Sequence, residues 1–152
     1  MSKNKIIITL VANQAYIHNA NADDAFLANN EILFSTISDS YLPLLDMIKR
    51  LELEGIPLKL SLVLSPAVCT LLEDAQVQKQ YIDHLDRSIA LGEEELKRTA
   101  KNPKQNAQAQ KRLTKLKKDK IDFIETYNQR LVPQFKDAAK RRVIELLPTA
   151  AT

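Results

Sequence analysis

Asn13, Gln14, Tyr16 and His18 lie close together after the first apolar run of the chain, and their types suit recognition of a sugar. An amide carries paired donors and acceptors, and a tyrosine ring offers an apolar plane to a sugar face. Ser65 directly follows a second apolar run and would share the same rim if both runs are neighbouring strands. Asparagine, glutamine and serine also cap turns, and that use of Asn13, Gln14 and Ser65 stands equally open. His18 joins the group because the loop after a parallel strand lies at the carboxyl edge of the sheet, where α/β proteins place their sites.

The other reactive side chains read as structural. His84 sits in Tyr81-Ile82-Asp83-His84-Leu85-Asp86, with no second histidine or cysteine at metal-binding spacing. Cys69 has apolar neighbours and no adjacent base, so it reads as a small core residue. Glu93-Glu94-Glu95 and Asp83 with Asp86 lie along helix faces. Acid–base catalysis needs carboxylates held across a cleft with separated pKa values, and this spacing does not supply that. Gly55 and Gly92 are the only glycines, so there is no glycine-rich phosphate loop. The expectation is that no side chain here is catalytic and that no metal or cofactor is held.

The elements that would position these residues follow from periodicity. Residues 6–12 are continuously apolar apart from Thr9, which predicts a strand buried on both faces. Residues 13–30 are rich in Asn and Asp and predict a long loop. Residues 31–53 predict a helix, with Ile32, Leu33, Phe34, Ile37, Tyr41, Leu44, Leu45, Ile48 and Leu51 on its stripe. Pro43 should kink that helix or mark a restart capped by Asp39 or Ser40, and Gly55 should end it. Residues 57–64 predict a second strand and 67–72 a short helical turn. A helix over 77–98 follows, with Asp74 as a candidate cap and Tyr81, Ile82, Leu85, Ile89, Leu91 and Leu96 apolar. Asn102-Pro103 interrupts it, a further helix spans about 107–142 with a break at Pro133, and 143–147 is a third strand.

Buried-type strands alternating with helices imply a parallel α/β sheet with right-handed crossovers. Three strands, the last with no helix after it, look like part of a barrel or doubly wound sheet. Such a sheet leaves apolar edges open, so self-association is expected.

At 152 residues, 45% hydrophobic and 27% charged, the chain has the make-up of one globular unit, which excludes a disordered tail or a disulfide-stapled miniprotein. One cysteine and the absence of any long apolar run predict a cytoplasmic protein without a membrane segment. Charge is uneven: residues 97–120 hold ten basic side chains against the single acid Asp119, while the other 12 basic residues face 18 acids. Such a run binds polyanions or simply solvates a helical hairpin. The absence of aromatics within it favours the solvated hairpin and makes nucleic acid the less favoured partner.

The order of segments resembles glycoside hydrolase family 57, in particular its α-1,4-glucan branching enzymes. The resemblance begins with Leu10-Val11-Ala12-Asn13-Gln14-Ala15-Tyr16-Ile17, Glu31-Ile32-Leu33-Phe34 and Ser40-Tyr41-Leu42-Pro43-Leu44-Leu45-Asp46. It continues with Leu60-Ser61-Leu62-Val63-Leu64-Ser65-Pro66, Tyr81-Ile82-Asp83-His84-Leu85-Asp86-Arg87 and Glu145-Leu146-Leu147-Pro148-Thr149-Ala150-Ala151-Thr152. It implies the N-terminal portion of a distorted (β/α)7 barrel: parallel strands with long helices, and a basic helical hairpin over 97–142 inserted within a single incomplete barrel domain spanning 1–152.

The activity implied is α-glucan metabolism. An α-1,4 bond is broken through a glutamate nucleophile and remade as α-1,6 with an aspartate as acid/base, without a metal. Two departures stand out. The family's His-x-His after its first strand is replaced by Val11 and Asn13, and an aromatic in the next segment is replaced by Ile32. Both catalytic carboxylates belong to the family's later part, so the expectation is an N-terminal fragment or degenerate relative, inactive alone. Its expected partners are an α-glucan such as amylose or a maltooligosaccharide, a second copy, or the missing remainder of the barrel. The alternative is a helical module binding nucleic acid or an acidic protein through residues 97–120.

Overall fold

A computed structural model describes residues 8–13 and 24–149, with the side chains of 24–29 left aside. Three strands, β1 (Thr9–Ala12), β2 (Leu60–Leu64) and β3 (Ile144–Leu147), form one sheet in the order β1-β2-β3. Both pairings are parallel, with Leu10 level with Leu62 and Leu146, and Val11 level with Val63 and Leu147. Six helices lie between the strands in sequence: α1 (Asp24–Thr36), α2 (Leu42–Leu53), α3 (Pro66–Glu73), α4 (Ala75–Arg98), α5 (Pro103–Ile121) and α6 (Leu131–Lys140). Consecutive strands that sit side by side and run parallel, joined by crossovers of one hand, carry their helices on one face. Leu60, Leu62 and Ile144 point to that face and are buried with Leu33, Val68, Phe135 and Ala138 in one core cluster.

Side chains alternate across a strand, so Thr9, Val11, Ser61, Val63, Glu145 and Leu147 occupy the opposite face. No described helix covers it. This corrects the expectation that the first strand is buried on both sides: Val11 is 68% exposed, Ile8 56% and Leu10 40%. An apolar run is read as buried because apolar burial is favourable, but among the described residues β1 is an edge strand and no helix covers its second face. The second strand is also shorter than its apolar run, beginning at Leu60 rather than at residue 57.

The loop predicted over 13–30 gives way to helix from Asp24. Asparagine disfavours helix only weakly, and tertiary pairing overrides it. Asn30 is buried in α1, and its Nδ2 donates to Gln80 Oε1 of α4 at 2.8 Å. Ile32 and Leu91, expected in apolar stripes, point outward.

Pro43 marks a restart, in the first turn of α2, but no side-chain cap at Asp39 or Ser40 precedes it. Residues Ile37–Tyr41 form a π-helical turn between α1 and α2, and the Leu42 N–H donates to the Ile37 carbonyl. In that register the next bond would run from residue 43 to the Ser38 carbonyl, and proline has no N–H to give. The widened turn absorbs the missing donor with the backbone still helical.

The remaining boundaries have local causes. Gly55 sits at φ +67° after α2, in the left-handed conformation expected at a helix end. Asp74 caps α4 as predicted: its Oδ1 accepts from the N–H of Gln76 at 2.8 Å and Val77 at 3.0 Å. Asn102 caps α5 through Gln105 N–H, with Pro103 in the first turn. Gly92 lets α5 approach α4, since a Cβ there would lie 3.2 Å from Leu113 Cδ1. The helix predicted over 107–142 breaks ahead of Pro133. A π-helical turn at Asp122–Thr126 leads to Asn128 and Gln129 at φ 49° and 61°, which reverse the chain. Pro133 falls in the first turn of α6, where its N–H would be unpaired anyway.

Asp74→Ala removes both acceptor bonds at the start of α4 and should cost about 1 kcal/mol of unfolding free energy. Urea denaturation followed by circular dichroism measures it, and an unchanged midpoint would show that the cap contributes nothing.

Candidate functional site

Parallel strands end together, so Ala12, Leu64 and Leu147 bring Asn13, Ser65 and Pro148 to one carboxyl edge. Asn13 lies one residue past β1 and is exposed. Ser65 is buried, and its N–H donates to the Ala12 carbonyl at 3.0 Å. Its Oγ accepts the Val68 N–H at 3.3 Å and so caps α3. The structure therefore places Asn13 and Ser65 on adjacent strand ends, with Asn13 exposed and the Ser65 hydroxyl engaged by backbone. Gln14, Tyr16 and His18 lie outside the described residues. Val11 and Asn13, two residues apart, belong to the helix-free side of the sheet by the period of a strand.

The side chains read as structural pack as such. His84 packs against Phe34 in a tilted arrangement with centroids 5.3 Å apart, and burial, then Arg87, lowers its pKa. Cys69 is a free thiol packed at the margin of the core, and burial pushes its pKa up. Burial likewise pushes the Tyr41 hydroxyl up to about 12. Among the described residues, no group of three or more His, Cys, Asp and Glu is arranged to hold a metal ion.

A polar cluster that sequence reasoning passed over sits where the π-helical turn meets α4 and α5. The Ser38 hydroxyl shares a 2.7 Å hydrogen bond with the Tyr81 hydroxyl. Lys115 Nζ donates to the Ser38 carbonyl at 2.8 Å and to Asp119 Oδ2 at 2.7 Å, and it lies 3.3 Å from Asp39. The carbonyl that Pro43 leaves without a helical donor is thus taken by a lysine from another helix. Asp119 is 5% exposed. Burial raises its pKa, and the hydrogen bonds and charge of Lys115, with the Ser38 hydroxyl, pull it back. The signal in the sequence was the lone acid of the basic run, four residues after Lys115.

The rest of that run divides in two. Lys117 pairs with Glu93 at 2.7 Å, Lys118 with Asp122 and Asp46, and Lys120 with Asp86. Lys97, Lys101, Lys104, Lys111 and Arg112, nearer the turn between α4 and α5, make no ion pair among the described residues. Lys117 and Lys120 thus join α5 to α4 within the hairpin, Lys115 and Lys118 tie it to the π-helical turn and α2, and the five unpaired cations face solvent.

The fold is that of the N-terminal part of family-57 (β/α) barrel proteins. It superposes on the α-amylase AmyC of Thermotoga maritima with a TM-score of 0.82 and 25% identity, covering 93% of this chain and 26% of that one. The family-57 branching enzyme of Pyrococcus horikoshii gives 0.80 and 18% identity over 96% of this chain and 26% of its own. That of Thermococcus kodakarensis, solved with glucose, gives 0.80 and 19% over 96% and 25%. In sequence, the chain is 23% identical over 122 residues to the 1,4-alpha-glucan branching enzyme of T. kodakarensis, which is 80% of this chain and 18% of the relative. No family model matches. The resemblance to family-57 branching enzymes seen in the sequence is borne out, over a span equivalent to about a fifth to a quarter of those proteins.

Lys115→Met would leave the buried Asp119 carboxylate without its cation. The folded-state pKa of Asp119 already lies above its ordinary value, so this group favours folding most at low pH, and that contribution fades as pH rises through the folded-state value. The substitution should cost about 2 kcal/mol at pH 7.5, and less at a pH low enough to protonate Asp119, which then needs no cation. Urea unfolding at the two pH values measures this; a loss equal at both would show that Asp119 is not the group affected.

Proposed function

We propose that this chain forms the opening strands and helices of a family-57-type barrel and serves α-glucan metabolism of the branching kind. It would hold the glucan at the carboxyl edge of its sheet without performing the transfer by itself. The observation that carries this is the superposition of nearly the whole chain on part of three family-57-type or amylase structures. The exposed Asn13 amide suits sugar hydroxyls, and a tyrosine such as Tyr16, three residues on in sequence, has a ring suited to a sugar face. Gln14 and His18 belong to the same stretch of chain.

Bond exchange by double displacement needs a nucleophile and an acid/base some 5–5.5 Å apart. Asn13, Ser65, Pro148 and Thr149, which follow the three strands, include no carboxylate. The chain therefore contributes binding, and the glutamate and aspartate of the chemistry come from elsewhere in the assembled barrel. No helix among the described residues is long and apolar enough to cross a membrane, and a single free Cys69 fits a reducing compartment such as the cytoplasm.

Affinity electrophoresis in amylose-containing gels and calorimetry with maltooligosaccharides test this reading. Binding should persist in 0.5 M salt and weaken by about threefold to tenfold in Asn13→Ala or Tyr16→Ala. No branching or hydrolysis should accompany it. Absence of binding by the folded chain would overturn the glucan reading.

The unpaired cations Lys97, Lys101, Lys104, Lys111 and Arg112 favour one second reading, a hairpin that docks on a polyanion. Binding to nucleic acid or an acidic protein would then fall steeply between 50 and 200 mM salt and weaken in Lys101→Glu with Lys104→Glu. Salt-independent behaviour would remove it.

A further inference from the structure

A cleft of about 550 Å³ runs between α4 and α5 on one side of their hairpin. Leu91, Gly92, Ala109 and Leu116 line it, with Glu94 and Arg112 among its charged residues. Gly92 and Ala109 bring almost no side-chain volume to the seam, so it stays hollow. Leu91 is 65% exposed beside it. The frame is fixed: Asn106 Nδ2 donates to the Leu96 carbonyl at 2.9 Å, and Asn102 caps α5. A cleft held in this way needs little ordering when something enters it. Its charge is one-sided. Arg98 is taken by Glu95 through two bonds of 2.7 Å, Glu93 by Lys117, and Lys115 by Asp119. Among the described residues, segment 88–116 is left with Lys97, Lys101, Lys104, Lys111 and Arg112 against Glu94, the one acid there outside an ion pair. All five cations are exposed.

We propose that this cleft is a docking surface for an acidic amphipathic helix of another protein. The apolar stripe of that helix lies between Leu91 and Leu116, and its carboxylates meet Arg112 and the unpaired lysines of the hairpin. An added helix fits the seam of a helical pair when its apolar side chains recur at three and four residues. Charge complementarity selects an acidic occupant, because the exposed cations outnumber the single unpaired acid. A second copy of the chain would double those cations within one interface and is repelled. Nucleic acid is the poorer occupant: bases stack on aromatic rings, and residues 88–116 include none. Phosphates in the cleft would also meet Glu94. The proposal rests on the polyanion reading of the hairpin, which it narrows to one partner and one surface, and is independent of the glucan.

The probe is a labelled synthetic peptide of about 18 residues, with leucines at helical spacing on one face and glutamates on the other. Fluorescence anisotropy with the full chain reads its binding. The comparisons are a peptide of the same composition with the leucines scattered, and a single-stranded oligonucleotide. The striped peptide should bind about tenfold more tightly than either, because only it fills the cleft with apolar surface. Leu91→Asp and Arg112→Glu should each weaken it about tenfold. Both side chains are exposed, so the circular dichroism spectrum of the chain should not change. Equal binding of the two peptides, or tighter binding of the oligonucleotide, would overturn the docking surface and leave the polyanion reading standing. Indifference to Leu91→Asp would do the same. No binding of any of the three would overturn both.

Discussion

One-sided burial governs this molecule. Each connection between strands returns to the neighbouring position of a parallel sheet, and crossovers of one hand then stack their helices on a single face. The core consequently lies between that face and the helices, where Leu33, Leu62, Val68, Phe135 and Ile144 meet. The same constraint leaves Val11 and Glu145 on the other side. It also brings the residues after the strands to one edge. The core, the exposed face and the candidate glucan edge are thus three results of one topological fact.

A second constraint works at the level of a single missing donor. Proline at position 43 cannot bond backward, and the helix answers with a π-helical turn that leaves the Ser38 carbonyl free. Lys115 takes that carbonyl and is balanced by Asp119 and Asp39. Tyr81 closes the cluster through the Ser38 hydroxyl and packs edge-on against Phe123, with centroids 4.8 Å apart. A backbone defect in one helix becomes the attachment point for the α4–α5 hairpin. This gives part of the basic run a structural use that owes nothing to a ligand. At the other end of the molecule, Arg141 holds Glu52 through two bonds of 2.9 and 3.0 Å, joining the ends of α6 and α2. The hydrogen bond from Arg141 holds the Glu52 carboxyl below its usual pKa, though an exposed pair of this kind adds little stability.

The likeness to family-57 structures and the physical reading address different questions. Superposition over nearly the whole chain identifies the arc of barrel, and it covers only about a quarter of the larger proteins. The candidate glucan edge holds Asn13 and Ser65, and Gln14, Tyr16 and His18 lie outside the described residues. Val11 and Asn13 fall on the helix-free side of the sheet by the period of a strand.

The amino-acid sequence by itself determined the features that local chemistry controls. The parallel strands are legible as short β-branched and leucine-rich runs, the cap at Asp74 and the helix end at Gly55 as residues that satisfy or release the backbone nearby, and Asn102-Pro103 as a break between helices. Asn13 and Ser65 were legible as strand-end residues for the same reason. Tertiary structure decided what depends on partners distant in sequence. Only folding shows that Asn30 is a helical residue paired with Gln80, that Leu91 and Ile32 face outward, and that the lone Asp119 is buried beside Lys115. Periodicity records which side chains share a face, and only the packed neighbours decide whether that face meets a core, an ion or water.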